Sequence, residues 1–113
     1  MTELSEDRLQ ADCYLWYCET FPGQRDFLWM QYNTPKNAVQ GAKLKAMGMR
    51  AGVSDLAYLD SSGTMHFIEL KTRSGVQSKK QRDWEKSVTE RGAKYHLVRS
   101  LKEFQEIFST SIE

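Results

Sequence analysis

Residues 52–75 read GVSDLAYLDSSGTMHFIELKTRSG, two apolar-rich runs, Val53 to Leu59 and Thr64 to Lys71, joined by Asp60-Ser61-Ser62-Gly63. The joining residues are turn formers, and Gly63 can take the positive φ that a tight turn needs, so the segment predicts a β-hairpin. Side chains alternate faces along a strand, which puts Glu69 and Lys71 on one side, roughly 6.6 to 7 Å apart along the chain, with Ile68 and Leu70 on the other. Pairing the two strands brings the start of the first beside the end of the second, and so Asp55 beside Glu69 and Lys71. Charged groups at the ends of buried strands are costly unless something compensates them. A divalent cation and a phosphate would do so. Two carboxylates are a sufficient protein ligand set for Mg²⁺, which keeps several waters and completes its shell with a carbonyl, here that of Leu70, and with substrate phosphate. Lys71 stands where it could orient or help deprotonate a water and stabilise charge on a phosphate under attack.

The rest of the chain supplies helices around that hairpin. Ser5 can cap a helix whose first turn holds Glu6 and Asp7, and Leu9, Cys13, Trp16 and Tyr17 recur at helical spacing until Phe21-Pro22-Gly23 ends it. Phe27 to Tyr32 is a short aromatic-rich run, read as a strand. Pro35 opens a second helix through Met47, with Ala38, Ala42, Leu44 and Met47 available to pack and Gly48 as its stop. Ser78 and Gln81 have capping-box spacing ahead of Trp84 and Val88, with Gly92 at the helix end. Ala93 to Val98 follows as a strand, and Ser100 with Glu103 repeats the spacing before Leu101, Phe104, Ile107 and Phe108. A helix between a hairpin and a following strand implies a crossover, hence an α/β fold with a mixed sheet flanked by helices.

With 113 residues, 40% of them hydrophobic, the chain suits one domain, 1–113, with one packed core. No apolar run approaches the roughly 20 residues that span a bilayer, and the acidic start MTELSEDRLQ is unlike a secretory signal, so a cytoplasmic location is expected. Cys13 and Cys18 stand i, i+5 on a helix, about 140° apart, and are expected to remain free thiols. His66 and His96 sit at no ligand spacing, and His66 faces away from Glu69. Trp16, Trp29 and Trp84 could stack on bases, though core packing is the expectation, least firmly for Trp29. A formal charge of +1 conceals segregation. From Phe27 to Val53 there is no acid, against Lys36, Lys43, Lys45 and Arg50; from Leu70 to Arg82 there is none, against Lys71, Arg73, Lys79, Lys80 and Arg82. The segment through Asp26 is acidic. A basic surface beside an acidic cluster suits an enzyme that holds phosphates and a cation, and equally describes solvated faces that happen to segregate.

Asp55 followed by Glu69-Leu70-Lys71 after a hairpin resembles the PD-(D/E)XK nuclease motif. Met49-Arg50-Ala51-Gly52-Val53-Ser54-Asp55-Leu56, Phe67-Ile68-Glu69-Leu70-Lys71-Thr72, Ser78 to Gln81 with Trp84, and Gly92 to Ser100 together resemble the virus-type replication-repair nuclease (VRR-NUC) family, over nearly the whole chain. Ser54 departs from the pattern, standing where the family has the proline of "PD", a backbone preference and not a ligand. The resemblance implies a restriction-endonuclease-like fold and a Mg²⁺-dependent endodeoxyribonuclease, with Mn²⁺ able to substitute. It implies Asp55 and Glu69 as metal ligands and Lys71 as the catalytic lysine. It also implies a glutamate from the first helix, Glu6 in Glu6-x-x-x-Gln10 with Glu3 as the nearby competitor, and a glutamine, Gln81, lining the site. Helix-dipole and capping roles remain open for Glu6 and Gln81. Lys36, Lys43, Lys45, Arg73, Lys79, Lys80 and Arg82 would hold the DNA backbone. Small members of the family are homodimers that cut branched DNA such as four-way (Holliday) junctions, and compact size with viral-family likeness hints at phage or prophage origin in a bacterial host. The alternatives are a flap- or end-trimming subunit beside a helicase, and a non-catalytic nucleic-acid-binding module of the same fold.

Overall fold

A computed structural model describes residues 5–31 and 35–109. Among these residues four α-helices and four strands follow in the expected order: α1 Glu6–Thr20, β1 Leu28–Met30, α2 Ala38–Ala46, β2 Leu56–Leu59, β3 Met65–Leu70, α3 Lys79–Glu90, β4 Lys94–Val98 and α4 Leu101–Ile107. The sheet runs β1-β2-β3-β4. β1 and β3 are antiparallel to β2, and α3 carries the chain over to β4, which lies parallel to β3. The mixed sheet expected from the element order is therefore present.

Alternation along β3 sorts the two layers. Ile68 and Leu70 face α1 and α4, where Leu9, Cys13, Tyr17, Leu28, Leu56, Val98, Phe104 and Phe108 complete a buried core. The Phe108 ring touches those of Trp16, Tyr17, Phe21, Tyr58 and Phe104, with the Tyr58 ring 4.8 Å away between centroids. Truncating such a side chain typically costs about 3–5 kcal/mol through lost transfer energy and a residual cavity. On the other face Phe67 meets Trp84 of α3, which in turn meets Tyr95. Trp16 and Trp84 are thus packing residues as expected, while Trp29 is 39% exposed on the edge strand. Cys13 and Cys18 are free, and burial pushes the Cys13 thiol up to about 12.

Caps set the helix ends. Ser5 accepts the Arg8 amide, Ser78 and Gln81 form a complete capping box, and Ser100 accepts the Glu103 amide. In the last case the Glu103 carboxylate reaches back to the Arg99 amide. Gly63, at φ +86°, closes the hairpin turn, and the Asp60 carboxylate gathers the Ser62 and Thr64 amides beneath it.

Three expectations need correction. The hairpin run expected from Val53 pairs as a strand only from Leu56, since Gly52 sits at φ +87° and the Ser54 hydroxyl turns back to the Leu56 carbonyl. The run expected as a strand from Phe27 to Tyr32 is shorter: Arg25–Phe27 form a 3₁₀ turn, the strand is Leu28–Met30, and Tyr32 lies outside the described residues. Tyr17 fixes that turn by donating its hydroxyl to the Gln24 carbonyl at 2.9 Å. The helix expected from Pro35 starts instead at Ala38, because Asn37 accepts the Gln40 amide as its cap. Nor does it pack as expected. Ala38, Ala42 and Met47 are exposed and Leu44 is half-buried, whereas Gly41 is buried against the Pro35 ring. Apolar residues at helical spacing mark a face but do not say whether anything covers it.

The two histidines, unremarkable in sequence, meet across β3 and β4. His66 Nδ1 lies 2.9 Å from His96 Nε2, and His66 Nε2 lies 2.8 Å from Asp60 Oδ2. Burial, then His66, then Lys94 hold the His96 imidazole down at about 4 against an ordinary 6.5. The unfolded chain therefore takes up this proton at higher pH than the folded one, and its contribution to stability is lost as pH falls from 6.5 through 4. Chemical denaturation at a series of pH values across that window should show a falling unfolding free energy, and His96→Gln should flatten the slope.

Candidate active site

The site is built where β2 begins and β3 ends. Leu56 pairs with Ile68 at the end of the ladder, and Asp55 and Glu69 are the residues that follow this pair on the two chains. The Asp55 Oδ2 atom accepts the Leu70 amide at 2.7 Å, so its carboxylate is tied to the residue between Glu69 and Lys71. Lys71 Nζ lies 3.7 Å from Glu69 Oε2, and the Lys71 amide is held by the Val98 carbonyl of β4 at 3.0 Å. The three groups expected to converge therefore do so.

The approach to Asp55 is fixed by two devices. Ser54, in place of the motif's proline, is fully buried; its hydroxyl donates to the Leu56 carbonyl at 2.8 Å and accepts from the Gln31 amide at 3.1 Å. A side-chain hydrogen bond thus does locally what a rigid ring would do by restricting φ. Upstream, Gly52 has φ +87°, and a Cβ there would stand 2.5 Å from the Lys80 carbonyl. Only glycine lets this loop press against the first turn of α3.

Glu69 is 1% exposed, and its Oε2 is a buried oxygen without a hydrogen-bond partner among the described residues. The other oxygen, Oε1, accepts the Tyr95 hydroxyl and the Gln77 amide. Burial pushes the Asp55 carboxyl above its usual range, with Glu69 and Glu6 adding to the rise, while the Leu70 amide and Lys71 oppose it. A buried carboxylate oxygen without a hydrogen bond, beside a second, electrostatically crowded carboxylate, is compensated only in part by the Lys71 ammonium 3.7 Å away. The pair's hard oxygen donors fit Mg²⁺ or Mn²⁺.

Other expected residues take varied places. Glu6 lies exposed on the first turn of α1, near enough to act on Asp55 through its charge. No group of three or more His, Cys, Asp or Glu side chains gathers as a metal cage among the described residues, so Glu6 is a neighbour of the acid pair and not part of a preformed cluster. Glu3 lies outside the described residues. Gln81 spends its carbonyl oxygen on the Ser78 amide at 2.8 Å, which is the capping role. The glutamine that touches Glu69 is Gln77.

Of the expected DNA contacts, Lys36, Lys43, Lys45, Arg73, Lys79, Lys80 and Arg82 are all exposed. Lys79 pairs with Asp83 at 2.8 Å and Arg82 donates to the Gln77 carbonyl at 2.8 Å, so these two also serve the fold locally. Lys45 and Lys80 line an open cavity of about 870 Å³ together with Arg50, whose place there was not anticipated. Gln77 and Tyr95 were also missed. Tyr95 could have been found from its parity with Phe67 and Glu69 once the parallel register was known; Gln77, in an irregular loop, carries no periodic signal.

The fold has solved counterparts. A structure described as "VRR_NUC domain protein" matches with a TM-score of 0.81 at 19% identity, over 99% of this chain and 91% of that chain. A second, described as "VRR_NUC domain", matches with a TM-score of 0.59 at 20% identity, over 91% and 92%. No family model and no curated protein matches the chain. Architecture and match agree on the fold: a mixed α/β sheet flanked by helices, as in the VRR_NUC domain structures.

The crowding at Asp55 gives a test that needs no substrate. Because its folded carboxyl is held above the unfolded value, ionised Asp55 opposes folding at neutral pH. Asp55→Asn keeps an acceptor for the Leu70 amide and removes the charge. In metal-free buffer at pH 7 it should melt a few degrees higher than the parent, and the gap should shrink as the buffer is acidified.

Proposed function

We propose that the chain belongs to the VRR-NUC family and is a metal-dependent, structure-selective DNA endonuclease. It would hydrolyse phosphodiester bonds in branched DNA such as four-way (Holliday) junctions. The observation that carries this reading is the buried Glu69 Oε2, which makes no hydrogen bond among the described residues and lies 3.7 Å from Lys71 Nζ, beside Asp55.

Asp55 and Glu69 hold the cation, with the Leu70 carbonyl as a further ligand and Glu6 adding negative charge from α1. When bound, Mg²⁺ stabilises negative charge on the phosphate and makes water more acidic. Lys71, with only 14% of its side chain exposed, is confined beside Glu69. There its ammonium orients the attacking water and offsets the charge that builds on the phosphoryl oxygens. The amide nitrogen of Gln81, left over from its capping bond, is available to the phosphate. Lys36, Lys43, Lys45, Arg50 and Lys80 hold the backbone through charge, giving salt-sensitive binding with little base preference. Two copies acting as a homodimer would supply one site for each of two strands.

Cleavage assays on a four-way junction, a flap and linear duplex, with and without divalent cation, test this directly. The junction should be cut best, in Mg²⁺ or Mn²⁺, with Ca²⁺ supporting binding only and EDTA stopping the reaction. Preference for the flap or a free end would move the chain to a trimming role. Asp55→Asn and Lys71→Ala should each lower the rate by at least about 10²-fold while junction binding survives; equal cutting by parent and both variants would remove the catalytic assignment.

A further inference from the structure

We propose that Tyr95 and Gln77 are positioning residues that fix the Glu69 carboxylate so that it meets its cation through Oε2 alone. The inference rests on the metal-dependent reading above and extends it to residues the nuclease motif does not include.

Tyr95 pairs with Phe67 in the parallel register, so its ring shares a face with Phe67 and Glu69, and it reaches along the sheet to the carboxylate. Its hydroxyl donates to Glu69 Oε1. Trp84, with its ring centroid 6.1 Å from that of Tyr95, closes the ring in from α3. Gln77 arrives from the loop after Lys71. Its Nε2 lies 3.3 Å from Glu69 Oε1, 3.0 Å from Glu85 Oε1 and 3.4 Å from the Tyr95 hydroxyl. Two carboxylate oxygens around one amide group can be served only by its NH₂ end, so the orientation of Gln77 is set by chemistry.

The loop that delivers Gln77 is itself pinned. Arg99 Nη1 donates to the Thr72 carbonyl at 2.8 Å and the Gly75 carbonyl at 2.6 Å, with the Arg73 carbonyl at 3.3 Å. Both donors therefore converge on one oxygen of Glu69 from two different elements, β4 and the 71–78 loop. Oε1 holds both hydrogen bonds while Oε2, buried and with no hydrogen bond among the described residues, faces the Lys71 ammonium at 3.7 Å. A carboxylate held this way cannot rotate to offer both oxygens, and its lone pairs at Oε2 are pre-aimed. Partners of this kind commonly change metal affinity by about 10–100-fold when removed.

Calorimetric titration of Mn²⁺ into the 113-residue chain without DNA, paired with the Mn²⁺ dependence of cleavage, separates positioning from mere support. Tyr95→Phe and Gln77→Met should each raise the Mn²⁺ dissociation constant by about 10-fold or more, with cleavage at saturating Mn²⁺ recovering to within a few-fold of the parent. A loss of fold would instead lower the saturating rate together with the thermal midpoint, and Gln77→Met, on an irregular loop, is the variant least exposed to that outcome. Parent-like Mn²⁺ affinity in both variants, while Asp55→Asn abolishes binding, would overturn the inference and leave the metal site standing. Failure of the parent itself to bind Mn²⁺ would remove the site and this inference with it.

Discussion

The Asp55 carboxylate accepts the Leu70 amide at 2.7 Å across the open end of a hairpin, and this bond puts two acids and a lysine within reach of one another. That bond ties the Asp55 side chain to β3. With it, Asp55 is pressed against Glu69, and burial plus like charge drive its carboxyl upward. The strand pairing thus sustains an electrostatic conflict that folding alone does not relieve, and conflict of that kind is typical of sites that await a ligand.

Around the conflict, the scaffold is conventional. The α1/α4 face is a dense aromatic core, and α3 covers the other face through Phe67, Trp84 and Tyr95. The two faces do different jobs. The first buries apolar area and contributes most of the stability. The second is thinner and mixes rings with Glu69, Gln77 and Glu85, so packing on that face and orientation of the site come from the same residues. Substituting there would be expected to disturb binding before it disturbs the fold.

The departure from the motif at Ser54 shows how a backbone requirement can be met by different chemistry. A proline restricts φ by its ring; Ser54 ties the same segment through the Leu56 carbonyl and the Gln31 amide. What the following aspartate needs is a fixed approach, and either device supplies one. The likeness in architecture to the VRR_NUC structures at 19% and 20% identity fits that view, because register and face parity constrain a sheet site more than the identity of each neighbour does.

The hairpin, its Gly63 turn, the helix caps at Ser5, Ser78 and Ser100, and the shared face of Glu69 and Lys71 were legible along the chain. Each rests on local rules: period-two alternation, turn chemistry, or a hydroxyl a fixed number of residues from an amide. The exposure of α2, the shortening of β1 and the bond between His66 and His96 were not legible. Those depend on what lies across from a residue, not beside it. The same holds for Glu69, in which the oxygen that takes the hydrogen bonds is chosen by Tyr95 on a parallel strand and Gln77 on a pinned loop, 26 and 8 residues away in the chain. Spacing could place a carboxylate at the right end of the sheet, but which of its oxygens is left without a hydrogen bond is settled by donors that only long-range packing brings to it.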